Sequence, residues 1–283
     1  MLIPKIIHRV WMSNNNTLPE RNSDVGKCFY SQDKLKDYGY EIKTYNASNF
    51  DMSTSNYLLQ AYALKKWAFV SDYIRLYVLY NEGGIWLDSD VEIFKSFDEL
   101  LEQHYFCSVE YDIWNKNKYT FNPTFMSNTW WQDWGVVGIE PHNAIIKSML
   151  DYYDSIDFVG ADGWIYDKIN PTDGIHDTCT INGNYERLLK KLNIKKELVS
   201  TSLEQYTDLV NNSANDIIYC LNTKWMTYFY YNPDVNYNED VICVHRRQGK
   251  WLDYTQNIMY LYEYDKDVIT NYHNTIDNYT QHF

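Results

Sequence analysis

A helical pattern that stops on two glycines and restarts at once as a strand is the feature that most limits the folds open to this chain. From about Ser55, the residues Leu58, Leu59, Tyr62 and Ala63 lead into Trp67, Val70, Ile74, Tyr77 and Val78 at three- and four-residue spacing. That is the period of a helix with one apolar face. The pattern ends at Gly83 and Gly84, which tolerate the left-handed backbone of a helix cap. Ile85 to Asp88 then reads as a strand leaving that cap. Upstream, "KIIHRVW" (Lys5 to Trp11) is short, β-branched and apolar, and "YEIKTYN" (Tyr40 to Asn46) alternates, so both read as strands. Between them Cys28 to Gly39 predicts a helix closed by Gly39. Strand, helix, strand, helix and strand in succession imply an α/β layered sheet rather than a bundle or a sandwich.

Beyond the glycines, "GVVGI" (Gly135 to Ile139) predicts a short strand and Asn143 opens a helix with Ile145, Ile146, Met149 and Leu150 on one face. A helix is expected over Tyr185 to Leu192, and strands near Asp216 to Cys220 and over Val241 to Val244. Long polar and aromatic loops lie between Tyr111 and Trp134, and loops of such length inside a compact domain tend to be functional. The stretch after Trp251, rich in Tyr, Asn and Asp, reads as a helical tail.

With 283 residues, 45% of them hydrophobic, the chain can bury a sizeable core. A formal charge of −13 argues against nucleic-acid binding and against docking on anionic lipid by bulk attraction. Any anionic ligand therefore needs a local counter-charge. Five cysteines without a C-x-x-C pair fit reduced thiols rather than a disulfide framework or a zinc site. "MLIPKIIHRVWM" is interrupted by Pro4, Lys5, His8 and Arg9, so it lacks a signal-peptide core, and no run of 18 apolar residues occurs. The expectation is a soluble, cytoplasmic protein. The 28 tyrosines and ten tryptophans can stack on sugars and nucleobases, or simply fill cores.

The strand after the glycines ends in Asp88, Ser89 and Asp90, with Glu92 close behind. On a continuous strand the three acids share one face, and neighbouring carboxylates stand about 6.6 Å apart. At an effective dielectric near 20, that spacing costs roughly 2.5 kcal/mol of repulsion if both are ionised. A hard cation, Mn²⁺ or Mg²⁺, turns the repulsion into a binding site, at the strand end where open α/β sheets hold their ligands. The bland alternative is an acidic turn in water, and D-x-D alone is a weak motif. Asp72 and Arg75, one turn apart on the preceding helix, share a face. Alone they amount to a local ion pair worth tenths of a kcal/mol.

The whole segment "AFVSDYIRLYVLYNEGGIWLDSDVE" resembles the donor-binding signature of the DXD-containing glycosyltransferases of family 32, related to the glucosylating domain of the large clostridial toxins. The shared parts are an A-x-x-S-D-x-x-R helix, a G-G-x-Y/W-x-D strand and the D-x-D, at fixed spacing over 25 contiguous residues. "IPKIIHRVW" is similar to the family's first strand and "VICVHRRQGKW" to its closing segment. The resemblance implies an α/β fold of the GT-A type, with a mixed, mostly parallel central sheet flanked by helices. It implies a single catalytic domain over 1–251, with the donor-binding part in about 1–110 and acceptor-side loops and helices in about 111–215. Residues 252–283 would form the aromatic tail.

Residue by residue, the resemblance implies that Trp11 stacks on the base and that Asp72 and Arg75 contact ribose and donor sugar. Asp88 would serve donor and metal, and Asp90 would ligate Mn²⁺ (or Mg²⁺) directly. His245 lies where the family closes the diphosphate and metal site, and neutral imidazole is a ligand compatible with Mn²⁺. Arg247, Lys250 and Trp251 complete the donor side. Where the family has a second His or Trp and a small residue, this chain has Arg246, Arg247 and Lys250, cations suited to a diphosphate leaving group. Trp134 stands where the family often has Asn. Asp88, Asp90 and Arg75 form the expected catalytic set; Asp162, Trp164 and Asp173, with the Tyr111–Trp134 loops, are acceptor-side candidates.

The expectation is transfer of a hexose, galactose or glucose, from a UDP-linked sugar to a glycan or lipid-linked acceptor with retention. It places the chain in polysaccharide synthesis, such as capsule, with peripheral contact at the inner membrane face. Two rivals stay open. "IWLDSDVE" also fits the nucleophile strand of haloacid-dehalogenase-type phosphatases, with Asp88 as nucleophile and Asp90 as acid/base, although no later acidic pair is found. The aromatic content alone fits a non-catalytic carbohydrate-binding protein.

Overall fold

The structure, a computed structural model, describes residues 1–13, 17–111, 130–161, 181–199, 202–212, 217–221, 225–228, 241–246 and 266–281. In a seven-stranded sheet, β1 (Ile6–Val10) runs parallel to the edge strand β2 (Glu41–Tyr45) on one side and to β3 (Gly84–Leu87) on the other. β3 pairs antiparallel with β6 (Trp130–Ile139), which pairs antiparallel with β5 (Tyr105–Tyr111). Parallel pairing then resumes from β5 to β8 (Ile217–Leu221) and from β8 to β7 (Lys195–Val199). The order is β2-β1-β3-β6-β5-β8-β7, so only β6 opposes the others and the sheet is mixed and mostly parallel. A second sheet joins β4 (Val91–Ile93), β10 (Cys243–His245) and β9 (Met226–Tyr228) in the order β4-β10-β9.

Three of the helices begin at a short polar side chain that caps them. The Ser23 hydroxyl accepts from Gly26 N at the head of α1 (Asp24–Ser31), which continues as a 3₁₀ turn over Gln32–Tyr38 and closes on Gly39 at φ 82°. The single helix expected from Ser55 to Gly83 is two helices. Ser55 caps α2 (Asn56–Ala63), the backbone turns through Lys65 at φ 57°, and α3 (Trp67–Glu82) follows. Asn143 caps α4 (Ala144–Asp154) as expected, and α5 (Ile181–Leu192), α6 (Leu203–Asn212) and α7 (Lys266–Gln281) complete the set among the described residues.

Side-chain alternation on the strands divides the core. Trp86 turns toward α2, α3, α4 and α5, while its neighbours Ile85 and Leu87 turn toward the opposite layer with Val91, Ile93 and Tyr206. Both faces of the central sheet are thus covered, as a mostly parallel sheet requires. Much of the aromatic content is core: Tyr57, Tyr73, Tyr153 and Tyr206 are fully buried, and Tyr57 meets Tyr153 and Phe158 edge to face. The tail helix α7 joins this core through Tyr272, which is buried, and through Tyr279 on Tyr62. Cys28, Cys107, Cys220 and Cys243 are buried free thiols, and none of the described helices is long and apolar enough to cross a membrane.

The two glycines are needed for conformation and for space. Gly83 and Gly84 have φ of 63° and 97°, and a Cβ on Gly84 would stand 2.7 Å from Ile6 O. The Gly83 carbonyl accepts from His8 Nε2 at 2.8 Å, and His8 Nδ1 meets Tyr45 Oη at 2.9 Å. Burial pushes His8 down to about 4 from its ordinary 6.5, so the folded ring is neutral while the unfolded one protonates first. Below pH 6.5 the unfolded state therefore binds more protons, and stability is lost as pH falls toward 4. The wild type minus His8→Gln difference in unfolding free energy should shrink by ~3 kcal/mol between pH 7 and pH 4. Urea titrations at the two pH values measure it, and a constant difference would refute the assignment.

Candidate functional site

The acids do not sit on one continuous strand. The main-sheet strand β3 ends at Leu87, Asp88 to Asp90 form a turn, and β4 begins at Val91 in the other sheet. The turn is closed by Val91 N donating to Asp88 O at 3.1 Å. Gln32 Nε2 holds it from below, donating to Asp88 O at 2.8 Å and to Val91 O at 3.1 Å. Asp88 N donates to Gly135 O at 2.8 Å, tying the turn to β6. Asp and Ser are turn formers because their side chains satisfy nearby backbone groups. The fold uses that property here to carry the chain from one sheet into the other.

The turn brings Asp88 and Asp90 to His245 at the end of β10. One ligand atom from each of these three residues lies within 4.8 Å of the others. His245 Nε2 stands 3.2 Å from Asp90 Oδ1 and 3.9 Å from Asp88 Oδ2. Two carboxylates and one imidazole on an open turn suit a small divalent cation, and the nitrogen donor favours Mn²⁺ over Mg²⁺. Burial alone would favour neutral His245, but Asp133 and then Asp90 outweigh it and hold the imidazolium well above its ordinary range. A cation binding here must displace that proton.

Arg75 reaches the same turn from α3. Its Nη2 donates to Asp88 Oδ1 at 2.9 Å, and Trp86 Nε1 donates to the same oxygen at 2.7 Å. The guanidinium lies 4.9 Å from the Trp86 ring centroid and 3.6 Å from Asp72 Oδ1. The other oxygen of Asp72, Oδ2, accepts from Ile181 N at 3.2 Å at the start of α5. Burial pushes the Asp72 carboxyl up to about 7, against the pull of Arg75 and with a further push from Asp88. Trp11 lies just beyond β1, half-buried, with Nε1 donating to Thr17 O at 2.7 Å and its ring edge-on to Phe29. Glu92 is engaged by Arg246, whose Nε donates to Glu92 Oε2 at 2.8 Å and whose Nη2 reaches the same oxygen. Arg246 N also donates to Asp90 O at 2.9 Å.

Trp134 is buried and meets Tyr185 of α5 edge to face. Arg247, Lys250, Trp251, Asp162, Trp164 and Asp173, and most of the loop between Tyr111 and Trp134, lie outside the described residues. Asp133 carries no signal in the sequence that marks it for the site. It is buried, and its carboxylate oxygens stand 3.1 and 3.2 Å from His245 Nδ1.

Residues 8–107 match the model of the glycosyltransferase sugar-binding region containing a DXD motif. That stretch includes Asp72, Arg75, Asp88 and Asp90. Over 109 residues the chain is 33% identical to inositol phosphoceramide mannosyltransferase 3 of Schizosaccharomyces pombe (strain 972 / ATCC 24843), a match covering 36% of this chain and 28% of that protein. Among solved structures, PaToxG glycosyltransferase is similar over 53% of this chain and 59% of that one, at 18% identity and a TM-score of 0.33. A glycosyltransferase involved in the glycosylation of the major capsid of PBCV-1 is similar over 86% of this chain and 93% of its own, at 11% identity and a TM-score of 0.36. The chain thus spans less than a third of the curated relative's length.

Proposed function

We propose that this chain is a metal-dependent glycosyltransferase that moves a hexose from a nucleotide sugar to a glycan or lipid-linked acceptor. The observation that carries this reading is the convergence of Asp88, Asp90 and His245 within 4.8 Å, two of them inside the stretch that matches the DXD-containing sugar-binding region. Asp88, Asp90 and His245 would hold the divalent cation, which when bound supplies Lewis-acid stabilisation of a departing nucleoside diphosphate. Arg75 fixes the Asp88 carboxylate through Oδ1 and leaves Oδ2 directed toward His245. Gln32, Arg246 and Gly135 hold the backbone of the turn, so the carboxylates need little reorganisation when charge develops.

The finer parts of the proposal are a UDP-linked donor, an α-linkage formed with retention, and a base stacked on Trp11. Asp72 and Arg75 would contact ribose and sugar, and Arg247, Lys250 and Trp251 would line the diphosphate. Galactose or glucose is the hexose proposed from the sequence, and the mannosyltransferase match adds mannose to the donors worth testing. Residues 1–251 would form one catalytic domain, with acceptor contacts in about 111–215. The setting proposed is the cytoplasm, at the inner membrane face, in surface polysaccharide synthesis. The phosphatase reading is disfavoured because Asp88, its nucleophile, already accepts two hydrogen bonds on Oδ1, which lowers its nucleophilicity.

Thermal shift and calorimetry with UDP-, GDP- and CMP-sugars, with and without Mn²⁺, test the proposal. One nucleotide class is expected to bind, with affinity at least about tenfold higher when Mn²⁺ is present. Failure of every nucleotide sugar to bind with metal present would sink it. Binding of a plain glycan with neither nucleotide nor metal would favour the carbohydrate-binding alternative.

A further inference from the structure

β6 carries an irregularity beside the acid turn. Cys107 of β5 faces Val137, but the next residue, Ser108, faces Asp133. Trp134, Gly135 and Val136 are therefore left without partners on β5. Extra residues of this kind bend a strand and re-aim its side chains, and they occur next to active sites. Here Trp134 turns into the core against Tyr185, while Asp133 turns the other way and meets the ring of His245. Asp133 Oδ1 also accepts from Gly135 N at 2.8 Å, which fixes the carboxylate against its own backbone. Gly135 leaves room for the arrangement: a Cβ there would stand 2.4 Å from His245 Cε1 and 2.6 Å from Nδ1.

We infer that Asp133 is a positioning residue that orients the His245 ring and keeps the proton on Nδ1, so that Nε2 is the nitrogen that gives up its proton and turns its lone pair to a cation held by Asp88 and Asp90. The inference rests on the metal-site reading above. The two ring nitrogens face different carboxylates: Nδ1 lies 3.1 Å from Asp133 Oδ1, and Nε2 lies 3.2 Å from Asp90 Oδ1. A hydrogen bond from one imidazole nitrogen to a carboxylate fixes the tautomer, orients the ring and raises the basicity of the other nitrogen. Asp133 lies at 3% exposure, so this bond is little weakened by competing water. Asp133 lies outside the group formed by Asp88, Asp90 and His245 and would act through His245.

Mn²⁺ binding by the full chain, followed by electron paramagnetic resonance of the free ion, tests this without reference to turnover. Asp133→Ala should weaken Mn²⁺ binding about 10- to 100-fold, the usual cost of losing such an outer partner. Asp133→Asn should recover part of the loss, because its side-chain oxygen still accepts from Nδ1. In a His245→Gln background, Asp133→Ala should cause no further loss. A merely structural Asp133 would lower the melting temperature but leave the Mn²⁺ Kd of the folded protein unchanged, and that result would overturn the inference. So would equal losses in the wild-type and His245→Gln backgrounds. If the wild type binds no Mn²⁺, the metal-site reading falls together with this inference; if it binds and Asp133→Ala matches it, this inference falls alone.

Discussion

Asp90→Ala should lower metal-dependent turnover by about 10³-fold, the upper end of what removing one preorganised electrostatic contact costs. The reasoning is geometric. Asp90 belongs to a turn fixed at Asp88 O, at Asp88 N and at its own carbonyl, and its carboxylate stands 3.2 Å from His245 Nε2 before any ligand is bound. Loss of that carboxylate leaves Asp88 and His245, a pair that cannot close around a small cation. Asp90→Asn keeps an oxygen in place and should retain more cation affinity than the alanine variant. Release of nucleoside diphosphate over a Mn²⁺ series measures both variants, with circular dichroism to verify folding. Metal-dependent turnover of Asp90→Ala within tenfold of wild type would remove Asp90 from the ligand set.

Arg75→Met should be the most destabilising of the conservative site variants, by about 3–5 kcal/mol, the range for breaking a buried ion pair from one side. Arg75 is buried between Asp72 and Asp88 and lies over Trp86. Without the guanidinium, Asp72 keeps its burial and its neighbour Asp88, the two influences that already push it up to about 7, and loses the stronger of the two that oppose them, keeping only the hydrogen bond from Ile181 N. Its folded pKa then rises further above the unfolded 3.8. The folded state therefore takes up the extra proton, so the variant loses stability as pH rises through that window. The deficit relative to wild type should be smaller at pH 5 than at pH 8. Urea midpoints at both pH values provide the check, and equal deficits would contradict the assigned role.

The parts of the fold readable in the sequence are those where one local signal decides the outcome. The β-branched run at Ile6–Val10, the alternation at Glu41–Tyr45, the paired glycines after α3 and the Asn143 cap each act within a few residues, and each element appears. The two-helix break at Lys65 was hidden because apolar spacing continues across it from Ala63 to Trp67. In the sequence the acid turn reads as strand because Val91, Glu92 and Ile93 keep the strand alternation, although the Asp-Ser-Asp composition is itself a turn signal. β5, β7 and α6 were not anticipated; Lys195–Val199 in particular begins with charges that suit an edge strand.

Asp88, Asp90, Arg75 and His245 were singled out because the residue types and their fixed spacing resemble a known pattern. Asp133 had no such signal. Its meaning depends on β6 and β10 meeting across 112 positions of sequence, and on an irregular strand that turns it away from its neighbour Trp134. Local pattern carries no information about either.

Because the acid turn passes from one sheet into another, the order of synthesis matters. A chain growing from its N-terminus can pair β1, β2 and β3 early, and β6 can join them by residue 139. β4 must wait for β10, whose Cys243 pairs with Ile93 and whose His245 pairs with Val91. Closing so long a loop is slow relative to local pairing. A nascent chain would therefore carry an acid turn held by Gln32 and Gly135 but not yet by Arg246, and His245 would join the two carboxylates only when β10 pairs with β4.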